Sequence, residues 1–315
     1  MVKEILEILQ PGPMTTIQDR GRFGFRKFGV PVSGALDGFS SVIANRLTGA
    51  RDDAPVLEMT LSGPKMAVLS DCVISVTGAQ MPLKVNGIEK PLWTTVSLAR
   101  GDIVQFGVAV KGLRAYLAVG GGIWCPRAMG SSSTFAAAGL GGMNGRRLLG
   151  GDRLLSSEPT NGVRSRMLDR KFRPELCGEL KLRSLPGPQD DFFNDGLETF
   201  FSAEYTVTGK TDRMGCRLDG SVVTFRDQSR LTIISEPSLP GCVQVPPDGQ
   251  PIILLVEQTV GGYAKIATVI SADLDLVAQA RPGDRIRFTR VSHLQAVNAL
   301  RERKSMLESI AFTNL

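Results

Sequence analysis

The chain has a single histidine, His293, among its 315 residues. One imidazole, lying outside every polar cluster of the sequence, excludes a Ser–His–Asp triad and a histidine-rich metal site built from this chain alone. His293 itself reads as a surface residue near a helix start. Cysteine is sparse too. Cys72, Cys125, Cys177, Cys216 and Cys242 are odd in number, scattered, and form no CxxC. That excludes a disulfide framework or zinc ribbon and fits reduced thiols. No apolar run reaches the ~18 residues that span a bilayer. Two acids stand early in Met-Val-Lys-Glu-Ile-Leu-Glu, where a signal peptide would carry its apolar core. A cytoplasmic location is the expectation. An ordinary phosphate loop is missing as well. Thr208-Gly-Lys-Thr-Asp212 resembles the tail of one, but Glu204 stands where the loop needs glycine, and a carboxylate there repels phosphate. Neither Gly120-Gly-Gly122 nor the glycines between Gly139 and Gly145 follow the dinucleotide fingerprint.

What is present is ordinary for a soluble globular protein: 42% hydrophobic and 22% charged residues. With 35 glycines and 18 prolines, the chain is rich in turns. Met66–Leu69, Val73–Val76, Leu83–Val85, Ile103–Phe106 and Arg114–Val119 read as short strands, and Asn86-Gly87 as a type I′ hairpin turn. Helices are few. Asp37 is a candidate N-cap before a stripe of Phe39, Val42, Ile43 and Leu47. Asp191–Phe201 is a second helix. Ser292 and Gln295 form a capping box ahead of a stripe of Leu294, Val297 and Leu300.

Four features recur in order. Pro11-Gly-Pro13 returns as Pro186-Gly-Pro188, Asp37 as Asp212, Glu58 as Glu236, and Gly101-Asp102 as Gly283-Asp284, at offsets growing from 175 to 182 residues. Four matches in register predict two homologous domains, over residues 1–160 and 176–315, with a linker across Ser156–Glu175. The fold class expected is mainly β, with two barrel-like domains and few helices.

The net charge is +6. Arg20, Arg22, Arg26 and Lys27 crowd together between Phe23, Phe25 and Phe28, but no nucleic-acid module accompanies them. The segment reads as a solvated loop or one that meets an anion. Gln18-Asp-Arg-Gly21 and Asp212-Arg-Met-Gly-Cys-Arg217 each set a carboxylate beside a guanidinium, a pairing suited to substrate carboxylates and, more often, to tying a loop to the barrel. The Ser131–Thr134 run offers hydroxyls to a ligand or to a turn. The densest polar segment is the turn Glu257, Gln258, Thr259, Gly261, Gly262, Tyr263 and Lys265, framed by the apolar runs Ile252–Val256 and Ile266–Ile270. Rigid strands holding a polar turn are a common way to build a site.

In these segments the chain resembles the allophanate hydrolase subunit 2, or biotin-dependent carboxyltransferase-like, family, which includes the C subunit of 5-oxoprolinase and Kip antagonist. The resemblance is carried by Thr16-Ile-Gln-Asp-Arg-Gly-Arg22, Gly29–Asp37, Tyr116–Ile123, Asp212-Arg-Met-Gly215, Gln244-Val-Pro246, Gln258-Thr259 with Gly261-Gly-Tyr263, and Pro282-Gly-Asp284. It implies two cyclophilin-like β-barrel domains and a hydrolase subunit acting on C–N bonds of a cyclic amide, 5-oxoproline, in a hetero-oligomer. The implied partners are a subunit 1 (KipI-like) protein and a third (LamB/YcsF-like) subunit, with ATP consumed by the complex. Alternatives are a carboxyltransferase acting on a urea-like substrate, with biotin carried by another protein, and an antagonist of a kinase-inhibitor protein. The candidate catalytic residues are Asp37, Asp212, Glu236 and Lys265. The candidate substrate-binding residues are Arg20, Ser33, Arg213, Gln244, Gln258, Thr259, Gly261, Gly262 and Tyr263. No metal is expected. Two departures from the family pattern fall on the polar turn: Val260 and Ala264 replace a threonine and a proline, and Glu257 precedes Gln258 without the usual upstream aspartate.

Overall fold

The computed structural model describes residues 2–156, 164–227, 229 and 231–314. The chain forms two compact units: Met1–Phe23 with Ser33–Leu176 and Ile310–Leu315, and Gly24–Val32 with Cys177–Ser309. The expected linker lies partly outside the described residues, at 157–163. Its described remainder is structured: Arg166–Leu168 pairs with Phe312–Asn314 in the first unit.

The fold is mainly β, as the turn-rich sequence leads one to expect. Apart from that two-stranded pair, the strands of the first unit divide between a seven-stranded and a five-stranded sheet. Ile5, Leu6, Ile8, Ile17, Leu57, Met59, Val104 and Leu117 belong to one buried core. The Asn86-Gly87 hairpin forms as expected. Both residues have positive φ, 51° and 82°, and they join Leu83–Val85 to Ile88–Lys90. The first helix, Gly38–Thr48, starts at Asp37, whose carboxylate accepts from the Ser40 amide at 2.8 Å. The helix lies on the strands Cys72–Gln80 and Lys111–Val119, and hydroxyls of the first of these strands bond its carbonyls, Ser75 to Ala44 and Thr77 to Ser40.

The second unit is a closed seven-stranded barrel. Around it run Glu179–Pro186, Ala264–Val269, Cys242–Val245, Ile252–Leu254, Gly215–Gly220, Glu204–Val207 and Arg285–Arg290. Closure is made by the parallel pairing of the last strand with Glu179–Pro186. The helix Asn194–Ser202 sets Phe200 in a stacked contact with Phe288 at 4.3 Å.

The internal repeat holds at the turns and changes at the helix. The carboxylates of Asp102 and Asp284 each accept from the amide three residues earlier, at 2.8 Å, and open equivalent strands. Asp37, however, begins a helix, whereas Asp212 caps a tight turn into the strand Gly215–Gly220. The terminal helix, His293–Ser309, has its capping box: Ser292 N–H donates to the Gln295 side chain and Gln295 N–H to the Ser292 hydroxyl. The expected apolar stripe is not its buried face. Leu294 and Leu300 are exposed, and the helix approaches Ile270 and Ala272 through Ala296 and Ala299. Small residues let the helix sit close to its neighbours, so the contact follows the alanines and not the largest side chains.

Candidate active site

Strand pairing lays a row of side chains across the second barrel. Arg217 pairs with Ile252, Ile252 with Gln244, and Gln244 with Lys265. Directly paired residues project from the same face of a sheet. Arg217 is exposed, so this is the outer face. Cys216, Ile253 and Val243 are likewise paired in sequence and project inward. One step along the outer face lie Leu254 and Cys242, which with Ile252 form a small apolar cluster.

The segment 255–263 rises over this face. Arg26 ties it down, donating to the Ser238 carbonyl at 2.8 Å and the Gln258 carbonyl at 3.0 Å. Partial burial lowers the pKa of its guanidinium from the usual value. Gly261 pairs with Glu236 and stands directly against the Gln244 amide, which a β-carbon there would displace. That close approach explains the glycine.

Beneath the segment is a cleft of about 200 Å³ lined by Lys210, Asp212, Met214, Arg217, Gln244 and Tyr263, among others. Gln244 is 3% exposed. Its Nε2 donates to the Tyr263 carbonyl at 3.3 Å. Its Oε1 has no partner among the described residues. The oxygen is not among the fully buried polar atoms left without a partner, and it faces the cleft.

At the end of the row, Lys265 is buried and its Nζ donates to Glu236 Oε1 at 2.5 Å. Gln189 joins them: its Nε2 donates to the same carboxylate oxygen at 2.9 Å, and its Oε1 accepts from the Lys265 amide at 3.0 Å. The hydrogen bond from Lys265, then that from Gln189, holds the Glu236 carboxyl below its usual 4.5, so it is ionised at neutral pH. Behind the turn, Arg213 Nε donates to Glu257 Oε1 at 2.6 Å, both side chains being nearly buried.

The sequence-predicted residues therefore fall into two groups. Asp212, Arg213, Glu236, Gln244, Gln258, Thr259, Gly261, Gly262, Tyr263 and Lys265 gather on the second unit. Gln258 and Tyr263 line the cleft with Gln244 and Asp212. The Thr259 carbonyl accepts from Ser238 and the Gly262 carbonyl from Ile233, holding the segment in place. Arg20, Ser33 and Asp37 belong to the first unit. Arg20 is exposed and lies 3.8 Å from Asp52. The expected Asp19–Arg20 pair does not form. Asp19 instead accepts from the Ser131 and Ser133 hydroxyls and the Gly21 and Ser132 amides, because neighbouring side chains on an extended loop diverge. Ser33 is buried with φ 55°, and its hydroxyl accepts from Arg22 at 3.1 Å. Asp37 binds both the amide and the hydroxyl of Ser40.

Sequence reading misses Gln189 at this site, sets Lys210 aside, and meets Arg217 only as the end of the Asp212–Arg217 segment. Gln189 directly follows the repeated Pro186-Gly-Pro188, which is a usable signal. Lys210 sits in the rejected phosphate-loop look-alike. Arg217 belongs to a segment that resembles the family, but only strand pairing brings it beside Ile252 and Gln244.

The outer face of the second barrel thus gathers amides, cations and a lysine–glutamate pair around one cleft. The chain belongs to the carboxyltransferase domain family (subdomains A and B), whose model matches residues 28–290. It is 35% identical to the C subunit of 5-oxoprolinase from Escherichia coli over 98% of both chains. To the corresponding 5-oxoprolinase protein of Haemophilus influenzae it is 34% identical over 97% of both. Among solved structures it is similar to the Kluyveromyces lactis urea amidolyase, with TM-score 0.91 and 30% identity over 97% of this chain. It spans 20% of that longer protein.

Proposed function

We propose that this protein is a subunit of a cytoplasmic, ATP-dependent 5-oxoprolinase-type complex that opens the ring of 5-oxoproline to give glutamate. The observation that carries the reading is the end-to-end similarity to the C subunits of two bacterial 5-oxoprolinases. The partners are a subunit 1 (KipI-like) protein and a third (LamB/YcsF-like) subunit. Ring opening adds water across the amide: hydroxyl joins the carbonyl carbon, the C–N bond breaks, and the nitrogen takes a proton. The ionised Glu236 is suited to accept a proton from the attacking water, and the buried Lys265 ammonium to stabilise charge developing on the carbonyl oxygen. Gln244 and Gln258 would hold the amide in place.

ATP is assigned to the complex and not to residues of this chain. The Thr208–Asp212 turn does not fit a phosphate: Glu204 holds the required glycine position and pairs there with Arg287 at 3.0 Å. The similarity to urea amidolyase supports a second reading, carboxyl transfer to a urea-like substrate from biotin carried by another protein.

The test is glutamate and ADP formation from 5-oxoproline by the reconstituted complex, with and without this chain. Turnover that requires the chain is expected. Equal turnover in its absence would defeat the reading. No turnover, together with carboxyl transfer from a carboxybiotin carrier to urea, would establish the second one.

A further inference from the structure

Two cations at the cleft are left unused by the mechanism above. Arg217 projects from the outer face of the strand Gly215–Gly220, and its guanidinium makes no hydrogen bond or ion pair among the described residues. Lys210, on the turn before that strand, bonds only through its backbone N–H, to the Thr208 hydroxyl. Its ammonium is likewise without a partner among the described residues. Both line the same cleft as Gln244, whose Oε1 has no partner among the described residues, and as Asp212, whose Oδ1 is taken up by the Met214 and Gly215 amides. Strand pairing sets Ile252 between Arg217 and Gln244, and Met214 and Leu254 line the same cleft. The cleft thus combines two cations and one carboxylate with apolar surface and a hydrogen-bond acceptor. At about 200 Å³ it is smaller than the ~300–1,000 Å³ of sites for drug-sized ligands.

We infer that this cleft is a recognition site for a small cyclic amide bearing a carboxylate. Arg217, with Lys210 beside it, takes the carboxylate through charge-assisted hydrogen bonds. Ile252, Leu254 and Met214 cover the ring methylenes. Gln244 Oε1 accepts the ring N–H, and Tyr263 holds that amide in register by accepting from its Nε2. Arg217 and Lys210 are therefore the residues that select an acidic lactam over a neutral one. The inference rests on the lactam reading for its choice of ligand, and the two fail separately.

The test uses the full chain in its complex, wild type and with the exposed-residue substitutions Arg217→Gln and Lys210→Gln, singly and together. Binding is measured for 5-oxoproline and for 2-pyrrolidinone, the same ring without the carboxylate. The wild type is expected to prefer 5-oxoproline. The double variant should bind it about 10- to 100-fold more weakly, with 2-pyrrolidinone affected less than about threefold. In turnover the loss should appear in KM and not in kcat. Gln244→Leu should weaken both ligands, since both carry the N–H. No binding of 5-oxoproline to the wild-type complex, or equal binding by wild type and double variant, overturns the recognition site. Chain-dependent turnover untouched by the double substitution overturns the site and spares the lactam reading. Arg217-dependent binding without any ring opening does the reverse.

Discussion

Asp19 in the first unit and Gln244 in the second are both polar side chains that sequence reading places near a site, and their surroundings could hardly differ more. The two oxygens of Asp19 accept four hydrogen bonds, from Gly21, Ser131, Ser132 and Ser133. Nearby, Arg22 is fully buried and donates to Ser33 and to the Ser133 carbonyl. In the same unit Glu58 accepts from the Leu36 amide and the Tyr116 hydroxyl. Burial, then the charge of Glu58, pushes that phenol well above its usual value, so it remains a donor. These carboxylates are spent on holding loops. Gln244, buried like Glu58, leaves its oxygen open to a cleft. The Asp19 carboxylate is ringed by protein donors, whereas the Gln244 oxygen faces a cleft in which a ligand can supply the donor.

Substitutions can break or sharpen this contrast. The largest effect is expected at Arg213. Arg213→Met strands the nearly buried Glu257 carboxylate and should lower stability by about 3–5 kcal/mol, read from urea unfolding. Asp19→Ala comes next, with a loss of about 2–4 kcal/mol as its donors lose their acceptor. If Asp19→Ala abolished ligand binding in a chain of unchanged stability, the contrast would be wrong. Gln244→Leu has nearly the same volume and removes an amide that has only one protein partner. Its stability should stay within about 1 kcal/mol of wild type, while 5-oxoproline affinity falls.

Glu236 supplies a pH test. Its folded pKa is lowered by Lys265 and Gln189, so the folded state binds that proton less readily than the unfolded one. The resulting stabilisation is full above the ordinary carboxyl value of 4.5 and is lost as pH falls through the lowered folded value. Glu236→Gln should flatten the fall in unfolding midpoint between about pH 5 and pH 3, relative to wild type. An identical slope in both proteins would remove Glu236 from the ion pair. The smallest effect belongs to Ser292→Ala, which removes the terminal helix cap for about 0.5–1 kcal/mol, with no change in binding.

Features decided by a few neighbouring residues are readable in the sequence. Asn86-Gly87 needs positive φ twice, Asp37 caps its own helix, and Ser292 and Gln295 bond one another across one turn. The polar turn after Ile252–Leu254 is readable as a segment, because apolar strands frame it. The site itself is not. Arg217, Gln244 and Lys265 share a face only because three strand pairings carry Gln244 beside Ile252 on one side and Lys265 on the other. Gln189 arrives across 76 residues of chain. The repeat points to the position of Glu236 from Glu58 but not to its role: Glu58 is fully buried, whereas the Glu236 side chain is 41% exposed and holds a lysine. The terminal helix misleads for a related reason, since hydrophobic size suggests Leu294 and Leu300 while close approach favours Ala296 and Ala299.

The most direct measurement compares kcat/KM for 5-oxoproline in complexes carrying Gln244→Leu and Ser133→Ala, each corrected for its folded fraction. The account predicts at least about a tenfold loss for Gln244→Leu and no loss for Ser133→Ala, whose hydroxyl serves only the saturated Asp19 cluster. The opposite pattern would contradict it and move the site to the first unit.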